Sequence, residues 1–365
     1  MKFVIFGLTI SSSWGNGHAT LWRGLCKALA RRGHRVVFFE RDVPYYSATR
    51  DLFELPGGEL ILYNDWRNAM PLAIRHLCDA EVAMVTSYCP DAVDASELVL
   101  AAPAEAVFYD LDTPVTLAHL QAGETVPYIP PGGLGEFDLV LSYTGGGSLD
   151  ELRTRLGARR VAPLYGSVDP EVHRPWPPDP RYQADLGYLG TYAEDRDPVL
   201  RALFVEPAAR LPQQKFIIAG SMYDHTFPWR SNIFFCNHLP PADHPAFYCS
   251  TRLTLNVTRR AMAQTGYCPS GRLFEAAACG AAVLSDYWQG IEQFFQPGSE
   301  ILLARNTDDA IAALQRSPGD LTRIAKAARE RTLAEHTAAV RALELEKILE
   351  AARDRAMPSA LRGTA

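Results

Sequence analysis

At 365 residues the chain is too long for one typical core and fits two domains of ordinary size. Its 47% apolar and 21% charged content describes a soluble globular protein, and a formal net charge of −6 argues against broad binding along a nucleic-acid backbone. The seven cysteines are odd in number, scattered and without Cys-x-x-Cys spacing, which predicts reduced core thiols and no metal site.

The apolar residues 1–10 break at once into Ser11-Ser12-Ser13-Trp14-Gly15, too short for a membrane span and without a cleavage-site pattern. They predict a first buried strand (2–8) in a cytoplasmic protein. A glycine-containing loop (11–17), a helix (19–32) with Leu21, Leu25, Ala28 and Leu29 on one side, a Gly33 stop and a strand (36–40) complete a βαβ unit. Further strands are predicted at 59–62, 82–86, 106–109 and 139–142, with helices at 96–100 and 149–156. This alternation implies a parallel sheet covered on both faces.

The proline-rich tract 163–180 predicts a stiff connector. After it the pattern restarts, with strands at 186–189, 215–219, 233–235 and 253–257 and helices at 197–210 and 244–249. The stretch 308–352 is helical in composition, followed by a loose tail. The expected class is α/β, with two Rossmann-like parallel-sheet domains (1–165 and 166–335) and a C-terminal helical segment (336–365). Their strand ends would face each other across a ligand cleft.

The most informative segment runs from Cys268 to Asp286. A small-residue loop (Pro269, Ser270, Gly271) opens a short helix carrying Arg272 and Glu275, Gly280 stops it, and an apolar strand (281–284) follows. Free N–H groups at the helix start and the Arg272 fork favour a phosphate, and Glu275 one turn deeper can accept from hydroxyl groups. A nucleoside diphosphate with its ribose meets both requirements. The plainer reading is tight helix packing with Arg272 and Glu275 as a surface pair.

Several other segments carry chemistry. Gly15, Asn16 and Gly17 can bring backbone N–H groups to a donor phosphate or sugar, and His18 behind them suits a base on an acceptor hydroxyl or a phosphate donor. A capping or buried structural histidine competes with that role. Asp110 and Asp112 end an apolar strand, where Asp112 can accept a proton or start the Thr113-Pro114 turn. Gly145 and Gly146 form a second glycine loop that either meets a sugar or relieves a tight turn. Arg196 is a further phosphate candidate. Arg259 either assists it or stays on the surface. Asn237, His238 and Leu239 follow a strand and can hold a nucleobase edge or form a plain connecting turn.

The segments Ser12-Ser13-Trp14-Gly15-Asn16-Gly17-His18, Glu40-Arg41-Asp42-Val43-Pro44, Tyr109-Asp110-Leu111-Asp112-Thr113-Pro114, Gly187-Tyr188-Leu189-Gly190-Thr191-Tyr192 and Arg272-Leu273-Phe274-Glu275 resemble the CgeB-like glycosyltransferases of the GT-B fold, named after a spore maturation protein. The resemblance spans nearly the whole chain. It implies transfer of a sugar from a UDP-, GDP- or dTDP-sugar co-substrate to an unidentified acceptor, with no further cofactor and no metal on the diphosphate. It implies that Glu275 holds the donor ribose and that Arg272 with Ser270 and Gly271 clamps the diphosphate. Related enzymes often carry a second acidic residue eight positions before that glutamate. Here the place is Tyr267, so the stereochemical outcome is left open. Two other readings use the same fold: a nucleotide-sugar 2-epimerase, which needs an extra carboxylate set, and a non-catalytic nucleotide-sugar-binding assembly factor.

Overall fold

The computed structural model describes residues 1–356, with side chains through 352; the tail predicted beyond the last helix lies outside the described residues. The chain divides into two compact units, one formed by Met1–Gly166 together with the segment from Ala338 onward, the other by Ser167–Thr337.

The first unit is built on a seven-stranded sheet of β1 (Lys2–Gly7), β2 (Arg35–Arg41), β3 (Gly58–Tyr63), β4 (Val82–Thr86), β5 (Glu105–Asp110), β6 (Leu139–Ser142) and β7 (Val161–Pro163). Their order is β3-β2-β1-β4-β5-β6-β7 and every pair is parallel. The inner strands are buried along their length, because helices cover both faces and each strand must be apolar on both sides. One face packs Phe6, Phe39, Val85 and Phe108; the other packs Phe3, Ile5, Trp22 and Phe38. The second face is completed from the far end of the chain. Helix Ala338–Ala356 lays Ala342, Leu345 and Leu349 into it, and Glu346 meets the Arg32 guanidinium at 2.5 Å and the His34 ring at 2.5 Å. The segment from 336, expected to stand apart, therefore belongs to the first unit from Ala338.

The second unit holds a six-stranded parallel sheet of β8 (Ala184–Leu189), β9 (Phe216–Gly220), β10 (Ile233–Asn237), β11 (Thr251–Asn256), β12 (Val283–Asp286) and β13 (Leu302–Ala304), ordered β10-β9-β8-β11-β12-β13. Both sheets thus reverse direction of growth beside their first strand, at β1/β4 and at β8/β11. In open α/β sheets that point leaves a crevice at the strand carboxyl ends.

One expectation changes and another is made specific. The proline tract, expected as a stiff connector, is from Ser167 part of the second unit, with Asp179 N donating to Ser250 Oγ at 2.7 Å, Trp176 N donating to Cys249 Sγ at 3.2 Å and His173 only 3% exposed. The helical C-terminal stretch is three helices, Thr307–Leu314, Pro318–Glu335 and Ala338–Ala356. Among the described residues no helix is long and apolar enough to cross a membrane.

Candidate functional site

In the first unit, the loop after β1 is held by a carboxylate below it. Glu40, fully buried at the end of β2, accepts from Thr9 Oγ1 (2.7 Å), Ile10 N (2.8 Å), Ser11 N (2.9 Å) and Ser11 Oγ (2.6 Å). Ser13 is tied to Asp51, which Arg23 grips with both terminal nitrogens. Burial works against that charge, but the Arg23 and Ser13 hydrogen bonds hold the Asp51 carboxyl at about 2. Gly15 then turns the chain with φ +62°, and Asn16 caps helix Gly17–Arg31 by accepting from His18 N at 3.0 Å.

The His18 side chain is not the cap. Its Nε2 lies 3.9 Å from Asp112 Oδ2 and its Nδ1 is buried without a hydrogen-bond partner. Burial lowers its pKa below the ordinary value and the Asp112 charge opposes this. Asp112 stands at the N-cap of helix Thr113–Gln121 yet makes no capping bond with its side chain. The carboxylate turns instead to His18 and to the Tyr88 hydroxyl. Tyr88, just past β4, has φ +63°, and its ring faces His18 at 5.8 Å and Tyr128 at 4.9 Å. A bulky residue in the left-handed region is a strained feature that a site tolerates when it aims a side chain. Asp110 is fully buried beneath this group and accepts from Asp112 N at 3.1 Å; burial pushes its carboxyl up to about 6. It braces the loop that carries Asp112 from below, out of reach of solvent.

The second glycine loop has a packing reason. A Cβ on Gly145 would sit 2.1 Å from the Tyr165 hydroxyl, and Gly146 takes φ +59°.

In the second unit, the motif segment folds as predicted, with helix Gly271–Ala278, N-cap Ser270 and a left-handed Gly280 at φ +80°. Leu273, Phe274, Ala276, Ala277 and Ala278 are buried, so Arg272 and Glu275 occupy the remaining face. They do not pair with each other. Arg272 Nη1 donates to Asn256 Oδ1 at 3.0 Å and its guanidinium lies over the Tyr188 ring at 5.4 Å. Arg196 reaches the same tyrosine, with Nη1 at 3.5 Å from Tyr188 Oη and from Thr191 O, while its Nε is buried without a partner. Among the described residues neither guanidinium forms an ion pair. A Cβ on Gly271 would meet nothing nearer than Glu275 Oε1 at 3.9 Å, so the helix start is open.

Arg259 behaves differently. Its Nε donates to Asp195 Oδ2 at 3.2 Å, which commits it to a local ion pair. Glu275 accepts from Tyr248 Oη through Oε2 at 3.3 Å, with His173 Nε2 at 4.0 Å from the same oxygen. Asn237 is exposed at the end of β10, His238 follows with φ +62° and its N donates to Gly220 O at 2.8 Å, and Leu239 is buried. Tyr267 also lies in the left-handed region at φ +48°, packed so closely on Gly290 that a Cβ there would meet its ring at 2.3 Å.

These two groups can be set beside known proteins. Residues 197–347 match the model of a family described as glycosyl transferase-like. The structure is similar over 97% of its length to all of a sucrose-phosphate synthase from Thermosynechococcus elongatus, with a TM-score of 0.69 at 14% identity. It is similar over 96% to all of the Anabaena protein HepE in complex with UDP-glucose (TM-score 0.65, 12% identity). A third likeness covers 96% of this chain and 99% of an alpha-glucosyltransferase in complex with UDP-glucose and DNA (TM-score 0.68, 11% identity). Among curated proteins, none matches the chain. The fold is GT-B.

Within this GT-B chain, the side chains that gather are His18 with Asp112 in the first unit and Arg196, Arg272 and Glu275 in the second. The sequence did not single out Tyr88, Tyr188, Asn256, Tyr248 or His173. Tyr188 lay in a quoted motif and Asn256 in the predicted strand 253–257, both toward the carboxyl ends of predicted strands, and that position was the available signal.

Proposed function

We propose that this chain transfers a sugar from a nucleoside-diphosphate-sugar to an acceptor hydroxyl, and that it is a cytoplasmic member of the CgeB-like transferases whose motifs it carries. The observation that bears the reading is the pair of guanidinium groups, Arg196 and Arg272, held by neutral partners around Tyr188 at an open helix start. Two cations kept from carboxylates are an uncompensated positive charge waiting for an anion. A departing nucleoside diphosphate brings that charge, and fixed donors lower the barrier as it develops. Two such groups do this without a metal at the diphosphate. Glu275, with Oε1 directed toward the helix start, is placed to accept from the ribose hydroxyls.

His18 is the base in this reading. It is kept neutral by burial, and Asp112 stabilises the imidazolium formed when it takes a proton. Tyr88 positions Asp112. The UDP-glucose named with two of the structural neighbours favours UDP among the nucleotides.

The test is binding of UDP, GDP and dTDP and their sugars, followed by thermal shift, with release of free sugar as the readout of slow hydrolysis. UDP should stabilise the protein, and Arg272→Ala should weaken it by roughly 10- to 100-fold, the loss of a charge-assisted hydrogen bond of about 1.5–3 kcal/mol. No stabilisation by any nucleotide at millimolar concentration would sink the reading. Unchanged affinity in Arg272→Ala and Glu275→Ala would show that the pocket lies elsewhere.

A further inference from the structure

His173 is a histidine that the donor chemistry leaves unexplained. It is 3% exposed, and neither of its ring nitrogens has a hydrogen-bond partner. A buried polar group without a partner costs about 1–3 kcal/mol, so a ring with two of them marks a place built for something else. Facing it are Glu275 Oε2 at 4.0 Å and the His244 ring. One donor atom from each of the three residues lies within 4.8 Å of the other two.

We propose that His173, His244 and Glu275 form a binding site for one divalent transition-metal ion of the zinc type. Three atoms no more than 4.8 Å apart share a centre at most about 2.8 Å from each, and zinc bonds to imidazole nitrogen and carboxylate oxygen are about 2.0–2.2 Å. Side-chain rotations of about 0.7 Å therefore close the site. Two imidazoles and one carboxylate are a borderline donor set that suits zinc over magnesium or calcium, and they leave a fourth position open. The surrounding groups fit ligand duty. The Leu239 backbone bonds the His244 ring, and the Tyr248 hydroxyl donates to Glu275 Oε2, so two of the ligands are already oriented.

The three ligands come from three separate pieces of the second unit: the docked proline tract, the start of helix His244–Ser250 and helix Gly271–Ala278. A bound ion ties the tract to the helix that carries Arg272. It also takes Glu275 Oε2 and leaves Oε1, near Gly271, free. The site shares Glu275 with the donor reading, through the other carboxylate oxygen, but requires neither guanidinium.

The experiment uses the full chain, stripped with a chelator, and titrated with Zn2+ alone against a chromogenic competitor. One ion per chain with an affinity tighter than ~1 µM is expected, with at least a tenfold loss in His173→Ala and in His244→Ala. Co2+ substitution of the wild type requires no variant and guards against misfolded ones; it should give visible bands of nitrogen and oxygen ligation. Absence of Zn2+ binding, equal binding in a His173→Asn, His244→Asn double variant, or a thiolate charge-transfer band pointing to Cys249 or Cys279 would each overturn the site. UDP binding to the stripped protein, measured beside the Zn2+ titration, separates the two readings: Zn2+ binding without UDP binding counts against the donor pocket alone, and UDP binding without Zn2+ binding against the metal site alone.

Discussion

His18 sits at the balance of two opposed effects, and the balance makes a pH prediction. Burial pushes its pKa below 6.5 and Asp112 pushes it up, so at neutral pH the ring is unprotonated and can act as a base. The acid limb of kcat/KM should therefore have its midpoint below pH 6.5. Asp112→Asn removes the raising influence, and the midpoint should move to still lower pH while His18→Ala loses about 10²–10⁴-fold in rate. A limb that stays put in Asp112→Asn would disprove the coupling. The sequence showed His18 and Asp112 as candidates because both follow strands. It did not show Tyr88, which combines a left-handed backbone with ring contacts to His18 and Tyr128 from distant segments. Equally, residue type left Arg259 open between assisting at a phosphate and a surface role, and only the position of Asp195 shows that it has a local ion-pair partner.

Elements are held at the site by buried polar ties between strand ends. Asp286, at the end of β12, accepts from Thr258 N at 3.0 Å and Thr258 Oγ1 at 2.9 Å just past β11, and Asn256 links Ser285 Oγ to Arg272. Burial raises the Asp286 carboxyl to about 6, above its value of 3.8 in an unfolded chain. A group raised on folding keeps its proton in the native state, so its contribution is full below about pH 4 and is lost as pH rises through 6. Asp286→Asn retains an acceptor and removes the titration. Its stability relative to wild type should improve between pH 4 and pH 8 by up to about 3 kcal/mol, read by urea denaturation at both values. A gap that does not change with pH would contradict this account. The same scale explains a missed helix. Trp66–Leu77 contains Pro71, which reads as a breaker at a cost of about 3 kcal/mol, but Ala69, Ala73 and Leu77 are buried on the sheet and packing prevails.

At the scale of the molecule, the first unit depends on residues from both ends of the chain. Glu346 is held at about 2, chiefly by hydrogen bonds from Arg32, against its burial and with help from His34. A carboxyl depressed on folding stabilises above its unfolded value of 4.5 and loses that contribution as pH falls toward 2. Because the Arg32 partner is largely solvated, screening reduces what the pair contributes: Glu346→Gln should cost about 1 kcal/mol at pH 7, and the difference from wild type should shrink as pH falls from 4.5 to 2, which urea denaturation across that range measures. A penalty independent of pH would mean that lost packing, and not charge, is responsible. Nothing local announced this return of the chain. Helix Ala338–Ala356 has an ordinary charged, alanine-rich sequence, and which sheet it covers depends on a contact with residues more than three hundred positions away.

By itself the sequence determined the alternation of strands and helices, the restart after residue 180, and the small-residue loop that opens the helix carrying Arg272 and Glu275. These depend on local periodicity, on glycine conformations and on side-chain chemistry, all of which are written within a few residues. Tertiary structure alone decided which charges stay unpaired. Arg272 and Arg196 are left with neutral partners, Arg259 is neutralised, Asp110 is buried, and His173 and His244 converge on Glu275 from distant segments. Each of these outcomes turns on distances between residues far apart in the chain, and electrostatic and hydrogen-bond energies are fixed by distance and burial, which no local pattern encodes.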